Sequence, residues 1–448
     1  MVEDYGRLSV PTKLGYGVGD LGANIVFTTV NFFLMYFLTD ISLLSASLAG
    51  LSMMAVRLVD ACTDPMIGYL SDRTHTRWGR RRPYILFGSI VAGVFFWLLF
   101  TRLDIQSPIL KFAYFTFIYL VFFVSYSAVN VPYSALTPDM TRNFNERTNL
   151  TGYRMSCAII GSLVAAGATK MLVGKFPDEA TGFSMVALIY GAAFIVFSSI
   201  VFFSVKETGS SAAPEDTGSA LRLYIGAFRN MPFVLAALTY ILHTVAVVII
   251  SSTLVYYFKY YICKESHLST IFLTLLGIAV LCIPVWVTIS KKTGKKFAYN
   301  TGMVIFAAAI FGIFFVSPGQ IAMIYILTGI AGFGFSTFFV LPWAIVPDTI
   351  EYNEYMTGQR NEGIFYGIWS FGPKLGSALA SLLVGLALSI SGYIPNAAVQ
   401  PDCVLLGIRV VLCIIPVAII LLGVAFMSFY PISRQMYEKI VRETRKER

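Results

Sequence analysis

Long apolar runs separated by short polar segments follow one another along the whole chain. A helix needs about 20 apolar residues to cross the roughly 30 Å hydrocarbon core of a bilayer, and twelve runs reach that length. Helices satisfy their backbone hydrogen bonds internally, as a lipid solvent demands. The pattern therefore predicts an all-α membrane protein with twelve transmembrane helices. The predicted spans are 14–39, 46–71, 83–102, 111–137, 148–173, 181–204, 232–261, 268–290, 297–315, 321–347, 361–390 and 404–429.

The longest polar stretch near the middle of the chain covers residues 206–230 and is typical of a linker. It divides the chain into an N-terminal six-helix bundle (1–205) and a C-terminal six-helix bundle (231–430), followed by a basic tail (431–448). The loops after the second and eighth spans have similar sequences, because each combines a glycine with a basic cluster. A duplicated unit of this kind implies two pseudo-symmetric bundles with a site near the midplane.

Composition and charge exclude several other classes of protein. The chain is 57% hydrophobic and 13% charged, whereas soluble proteins are about 45–50% apolar and about 25% charged. The net charge of +9 is spread over short clusters between apolar runs, so no nucleic-acid partner is expected. The six cysteines have no CxxC spacing, which argues against a zinc site or a disulfide framework. No HExxH, GxSxG or Walker A motif indicates an enzyme.

Basic residues also predict the orientation in the membrane. They cluster in the loops after spans two and eight and in the tail, while the opposite loops at 40–46 and 316–320 contain none. The positive-inside rule then places both termini in the cytoplasm. Because the first twelve residues are polar and the first apolar run is too long for a signal peptide, that span is expected to stay in the cell (inner) membrane.

One face of the second span carries charge. Arg57, Asp60 and Asp64 are spaced i, i+3 and i+7, which places them on the same side of a helix. A charge at the bilayer centre costs at least about 2.5–3.5 kcal/mol, so these residues need a partner or a wet cavity. The carboxylates and Thr63 offer the oxygen ligands that hard cations prefer. A proton on a buried acid and a purely structural Arg–Asp network are the alternatives.

Several motifs resemble known transporters. The segment Gly68–Arg73, followed by Gly79-Arg80-Arg81, resembles the loop motif between helices two and three of the major facilitator superfamily. Four further segments and one lysine together resemble the glycoside–pentoside–hexuronide:cation symporters of the melibiose-permease type, over nearly the whole chain. These are Lys13–Asp20, Arg57–Pro65, Asn130–Leu136, Trp343–Tyr352 and Lys374.

The resemblance implies a cation site built from two span-two carboxylates, the residue before the second of them, and a hydroxyl on span four. These positions are Asp60, Asp64, Thr63 and Ser127. Thr63 stands where the family type has asparagine and Ser127 where it has threonine, and both keep an oxygen ligand. Na⁺ is therefore the expected coupling ion, H⁺ is the alternative, and no other cofactor is expected.

The resemblance also implies a sugar site at Asn24, Asn130, Ser134 and Arg154. The two asparagines replace aspartates, Ser134 replaces a tryptophan, and only the arginine is retained. Losing two negative charges while keeping Arg154 and Lys374 makes the site more positive, which favours a hexuronide or a sulfonated or otherwise acidic sugar. Four aromatic side chains are candidates for the walls of the site: Tyr126, Tyr133, Trp343 and Trp369.

Charged residues elsewhere suggest coupling and gating. Lys374 lies in the middle of span eleven and needs a partner, with Asp60 or Asp64 as candidates and snorkelling as the alternative. His243 in span seven is either a proton relay or a buried, hydrogen-bonded histidine. Opposite charges on one membrane face predict a cytoplasmic gate between the two halves. Its members are Asp72, Arg73, Arg80, Arg81 and Arg82 in the first half and Asp348, Glu351 and Glu354 in the second.

The expected function is cation-coupled symport of a sugar-like solute by alternating access, performed by a monomer in the lipid bilayer. The chain also resembles the sodium-dependent lysophospholipid transporters, so transport of a lipid is an alternative function. A membrane-embedded enzyme and a non-transporting receptor are further alternatives. The stretches shared with the lipid transporters are Val131–Leu136, Tyr153–Met155, Leu341–Trp343 and Tyr430–Ile432.

Overall fold

The computed structural model describes residues 8–140, 144–205, 226–358, 362–432, 436, 437 and 440 of the 448-residue chain. Within them, twelve helices are long and apolar enough to cross a membrane, which confirms the predicted fold class. Residues 206–225 of the predicted linker and most of the predicted tail lie outside the described residues. The helices are α1 Val10–Ile41, α2 Ala46–Arg73, α3 Arg82–Leu99, α4 Pro108–Met140, α5 Phe144–Val173, α6 Glu179–Ser204, α7 Met231–Tyr261, α8 Glu265–Thr293, α9 Lys295–Ile313, α10 Ile321–Thr357, α11 Glu362–Ile390 and α12 Asp402–Ser428.

Capping residues set where several helices begin. The side chains of Ser9, Asp178 and Asn230 accept hydrogen bonds from the backbone N–H three residues later, at the starts of α1, α6 and α7. Proline occupies one of the first two positions of α1, α3 and α7, where its missing N–H costs no intrahelical bond. Local capping therefore sets the first residues of these helices, and the apolar runs that follow set the helix lengths.

The described residues fall into two compact units. One contains residues 8–205 with Ile394–Ala398, and the other contains the rest of the chain from residue 226 onward. In the first unit α1 packs against α5 and α6, α3 packs against α4 and α6, and α2 packs against α4. The second unit repeats these pairs six helices later: α7 with α11 and α12, α9 with α10 and α12, and α8 with α10. The two six-helix bundles thus share one packing scheme.

Local backbone features repeat as well. The first helix of each bundle ends in a five-residue π-helical segment, Phe37–Ile41 in α1 and Tyr257–Tyr261 in α7. Two residues after each segment the chain turns through a left-handed residue, Leu43 (φ 56°) and Cys263 (φ 55°). Leucine and cysteine seldom adopt such a φ. Its recurrence at the same point of both bundles indicates a duplicated unit.

Helices α2 and α10 continue through prolines in their interior. Helix α2 continues through Pro65, and α10 continues through Pro342 and Pro347 to Thr357 rather than ending at 347. Membrane helices tolerate proline because neighbouring groups satisfy the freed backbone carbonyl. The predicted tenth span ended at 347 because the apolar run ends there. Helix α10 extends beyond that run and carries the acidic residues that follow it.

A buried histidine joins three helices of the second unit. His243 of α7 is 0% exposed, and its Nδ1 lies 2.7 Å from the Tyr299 hydroxyl of α9. Its Nε2 lies 3.1 Å from the Ile420 carbonyl of α12. Because a carbonyl only accepts, Nε2 donates and Nδ1 accepts from the tyrosine, as a neutral imidazole does. Both ring nitrogens are satisfied, which favours a structural role for His243 over a proton relay.

We expect His243→Leu to destabilise the second unit, because it leaves the buried Tyr299 hydroxyl without this partner. An orphaned buried group costs about 1–3 kcal/mol. Thermal unfolding of the detergent-solubilised protein would measure the change, with the exposed His75→Gln as control. A His243→Leu protein as stable as the parent would contradict the structural role.

Candidate functional site

The charged face of α2 meets a hydroxyl of α4. Asp60 is 2% exposed, and the Ser127 hydroxyl donates to its Oδ1 at 2.7 Å. The Thr63 hydroxyl donates to the backbone carbonyl of Asp60 at 3.1 Å, and Asp64 is half-buried one turn further along α2. The structure thus brings together, within one unit, the four residues that the sequence assigns to the cation site.

Arg57 connects the same face of α2 to α1. Its Nη2 donates to Asn31 Oδ1 at 2.6 Å, and its guanidinium lies over the rings of Phe27 (5.3 Å) and Phe123 (4.4 Å). Side-chain amides and aromatic faces both stabilise a guanidinium away from water. Sequence reasoning missed Asn31, because an asparagine in a membrane helix carries no distinctive spacing.

Oxygen atoms are the chemistry that this face offers. Among the described residues, no group of three or more His, Cys, Asp or Glu side chains could hold a metal ion. A cation here would be bound by the carboxylates together with hydroxyl and carbonyl oxygens, the donor set that hard cations accept. A proton would need only one of the two acids.

Arg154, the arginine assigned to the substrate, has a carboxylate partner. Its Nε donates to Asp20 Oδ2 at 2.6 Å, and its Nη2 lies 3.5 Å from Oδ1. Asp20 lies on α1, one turn before Asn24. Two negative charges are missing at Asn24 and Asn130, but a third carboxylate, which the sequence did not single out, stands at Asp20. The positive charge of Arg154 is therefore compensated, and the site is less positive than the sequence indicated.

Two tyrosines surround this ion pair. The Tyr133 hydroxyl donates to the Tyr16 carbonyl at 2.7 Å and lies 3.1 Å from Asp20 Oδ2. The Arg154 guanidinium lies 4.6 Å from the ring centre of Tyr133 and 5.5 Å from that of Tyr16. Tyr133, a predicted wall residue, is 2% exposed and orders the charged groups instead of presenting an open face.

The Nη2 atom of Arg154 also lies near Ser134. It is 3.3 Å from the Ser134 hydroxyl and 3.5 Å from Asp20 Oδ1, and that serine is exposed. The edge of the guanidinium that the buried carboxylate holds therefore also lies beside an accessible hydroxyl. The structure brings Arg154 and Ser134 together, as the resemblance implies.

Close approach of α1 to its neighbours makes this arrangement possible. A Cβ atom on Gly19 would lie 2.7 Å from a ring carbon of Tyr133. A Cβ atom on Gly161 of α5 would lie 2.4 Å from the carbonyl oxygen of Leu21. Both distances are too short for any other residue, so these two glycines let α4 and α5 reach Asp20.

The other predicted substrate residues of this unit have mixed environments. The Asn24 side chain is half-buried and donates to the Asp20 backbone carbonyl at 2.8 Å, while Asn130 is half-buried on α4. Tyr126 is 7% exposed and packs between Phe27 and Phe194, with ring centres 6.0 and 6.1 Å away. Its position is that of a core residue.

An aromatic cluster occupies the second unit. Trp369 of α11 is 2% exposed and stacks on Tyr240 of α7 with ring centres 4.8 Å apart. Trp343 of α10 is 48% exposed and lies edge-on to both rings at 6.5 Å. The structure therefore brings the two predicted tryptophans together. Tyr240, which the sequence did not single out, completes the cluster, and Lys374 lies half-buried on α11.

The predicted gate residues form ion pairs inside each unit. Arg81 Nη2 lies 2.7 Å from Asp72 Oδ1, and Arg81 also donates to the Ala135 carbonyl. In the second unit Lys295 lies 2.7 Å from both carboxylate oxygens of Asp348. The sequence had not assigned Lys295 to the gate.

The other gate residues are less buried. Arg73 is exposed and lies over the Tyr69 ring at 4.1 Å, and Arg80 and Glu351 are half-buried. The pairing of the first half with the second across the gate stays a prediction.

Comparisons with known proteins agree with this architecture. A crystal structure of a bacterial homolog of the human lysosomal transporter Spinster has a similar fold, with a TM-score of 0.69 at 14% sequence identity, covering 98% of this chain and 99% of that one. An Escherichia coli protein provisionally named glycoside/cation symporter YagG is 30% identical over 99% of this chain and 96% of its own length.

A second Escherichia coli relative, provisionally named a sulfoquinovose importer, is 31% identical over 98% of this chain and 94% of its own length. The family model described as MFS/sugar transport protein matches residues 15–434. The predicted relationship is confirmed, and the chain belongs to this family of sugar-transport-like major facilitator proteins.

Proposed function

We propose that the protein is a cation-coupled symporter of an anionic, sugar-like solute, which works by alternating access in the cell (inner) membrane with both termini in the cytoplasm. The observation that carries the proposal is the buried Asp60 carboxylate, which accepts a hydrogen bond from Ser127 beside Thr63 and Asp64. Membership of a sugar transport family and the printed name of a glycoside/cation symporter among its relatives support it.

The coupling ion is bound on α2 in this proposal. Asp60 and Asp64 supply negative charge, while Thr63 and Ser127 supply hydroxyl oxygens. Na⁺ is favoured over H⁺ because the site combines two acids with neutral oxygen ligands, and a proton needs no such set. Lys374 is proposed as the charge that competes with the cation for these acids.

The substrate is held by Arg154 in this proposal. The guanidinium, which lies beside Ser134 through Nη2, accepts a carboxylate or sulfonate, because a guanidinium pairs two N–H groups with two oxygens of one anion. Asn24 and Asn130 can both donate to and accept from sugar hydroxyls, and Trp343 supplies an exposed apolar face. The name of the sulfoquinovose importer supports an acidic sugar, since sulfoquinovose carries a sulfonate. Among the described residues, no contact favours the lysophospholipid alternative.

The gate is proposed to work through the same charged residues that pair inside each unit. Breaking Asp72–Arg81 and Lys295–Asp348 would free opposite charges on the cytoplasmic side, so that they can exchange partners as the halves rock. Partly exposed pairs contribute only about 0–1 kcal/mol each. A few such pairs together shift the balance between the inward-open and outward-open states, since about 1.4 kcal/mol changes the ratio of the two populations tenfold.

Asp60→Asn and Asp64→Asn should abolish Na⁺-driven accumulation of substrate while the protein still inserts, because charge is what offsets the lost hydration of the cation. Uptake of radiolabelled sulfoquinovose and methyl β-glucuronide into proteoliposomes, with an imposed Na⁺ or pH gradient, would measure this. The capping residue Asp178, changed to asparagine, is a matched control outside the site. If both site variants concentrate sugar like the parent, the cation site lies elsewhere.

Arg154→Lys should weaken binding of methyl β-glucuronide by about 10–100-fold, because a charged hydrogen bond contributes about 1.5–3 kcal/mol. Lysine keeps a positive charge beside Asp20 but loses the planar fork. Competition against methyl β-glucoside, which lacks the carboxylate, provides the control. Equal competition by the two sugars in the parent protein would argue against an anionic substrate.

Neutralising the second-half gate residues, Asp348→Asn with Glu351→Gln, should favour the inward-open state and leave the intrinsic cation affinity nearly unchanged. Distances between spin labels on the cytoplasmic ends of the two bundles would report the populations. The matched variant Lys295→Gln separates loss of the Lys295–Asp348 pair from loss of the acidic charge. An unaltered distribution in the double variant would rule out this gate.

A further inference from the structure

The ion pair between Asp20 and Arg154 is buried in the first unit. The side chains of Asp20 and Arg154 are 7% and 13% exposed, and Nε lies 2.6 Å from Oδ2. The same carboxylate oxygen also lies 3.1 Å from the Tyr133 hydroxyl. This network joins α1, α4 and α5, and neither the predicted cation site nor the predicted sugar site includes Asp20.

Asp20 already occupies the edge of the guanidinium that a bound anion would use. Nε and Nη2 face the two carboxylate oxygens at 2.6 and 3.5 Å. The ring centres of Tyr133 and Tyr16 lie 4.6 and 5.5 Å from the guanidinium carbon. An anionic group that arrives beside the exposed Ser134 therefore meets an arginine whose charge is already compensated.

Two anions on one buried guanidinium leave an excess negative charge. Water is largely excluded around Asp20, so this excess charge is poorly solvated and costs free energy. A proton taken up by one carboxylate restores the balance. Asp20 is the suitable acceptor, because its protonated form can still hydrogen-bond to a neighbouring hydroxyl or carbonyl.

We propose that Asp20 is the internal counter-anion of Arg154, and that it takes up a proton when the anionic group of the substrate replaces it at the guanidinium. The inference rests on the proposed anionic substrate. The proton comes from water, Asp20 changes from carboxylate to carboxylic acid, and no bond of the substrate is made or broken. The site gains one anion and one proton, so its net charge stays the same. Proton coupling at Asp20 is then separate from cation binding at Asp60.

The groups around Asp20 allow this assignment to be tested. Arg154 and Cys157 face it from α5, Tyr126 and Tyr133 from α4, and Tyr16 from its own helix. Helix α6 packs against α1 near Gly22 through Phe194 and Phe197, which carry no charge. Among the described residues around Asp20, the other groups that could change their protonation are the Cys157 thiol and the phenols of Tyr16, Tyr126 and Tyr133.

Calorimetric titration of the purified protein with methyl β-glucuronide, in phosphate and in Tris at the same pH and Na⁺ concentration, counts the protons exchanged on binding. We expect uptake of about one proton per sugar, and an affinity that falls about tenfold for each unit by which the pH is raised. Methyl β-glucoside should bind without proton uptake. Asp20→Asn should bind the glucuronide with no proton uptake and with an affinity independent of pH.

A control variant, Cys157→Ser, locates the proton, because it should keep the proton uptake. Parent protein that binds the glucuronide without proton uptake between pH 7 and 8 would overturn the inference, whether or not Asp20→Asn folds. Persistent uptake in Asp20→Asn would do the same.

The same titration separates this inference from the proposed function. Na⁺-dependent glucuronide binding without a proton removes the role of Asp20 and leaves the proposed symport intact. Binding of the neutral glucoside alone removes both the anionic substrate and the role of Asp20. Binding of neither sugar and of no sulfoquinovose overturns the proposed function together with the inference.

Discussion

A charged side chain inside a membrane bundle is stable only when a partner lies within reach, and this constraint organises the first unit. Arg57 contacts Asn31, Asp60 contacts Ser127, and Arg154 contacts Asp20. Each contact joins two different helices. Losing one partner would leave a buried charge uncompensated, which is more costly than losing an exposed ion pair. The polar contacts therefore help to fix which helices are neighbours.

Helix α1 is the element that these contacts share. It carries Asn31 for Arg57, Asp20 for Arg154 and the carbonyl of Tyr16 for Tyr133. Small residues on its surface and on α5 permit backbone approaches too close for any side chain, as at Gly161. The result is a tightly connected half in which the two proposed binding regions meet the same helix. Such a half suits rocking as a body, which the proposed alternating access requires.

The charge balance of the substrate region is the main revision that the structure brings. The family resemblance implied a positive region, because two aspartates of the family type are missing there. The carboxylate of Asp20 lies one helical turn from Asn24 and faces the retained arginine. In the proposed sugar site, discrimination between charged and neutral sugars would depend on how this ion pair responds to the sugar, because the net charge of the pair provides little attraction.

The sequence by itself determined the twelve helices, their grouping into two related bundles and the charged stripe on α2, because helical periodicity and the bilayer thickness act along a single chain segment. It also placed Ser127 opposite Asp60 through the family motif. Only the tertiary structure decided that Asp20, Asn31 and Lys295 are partners of the predicted residues, and that Tyr126 and Tyr133 are buried. Those outcomes depend on which helix faces which and at what separation, and close approach at glycines such as Gly19 sets that separation. No spacing within one helix encodes it.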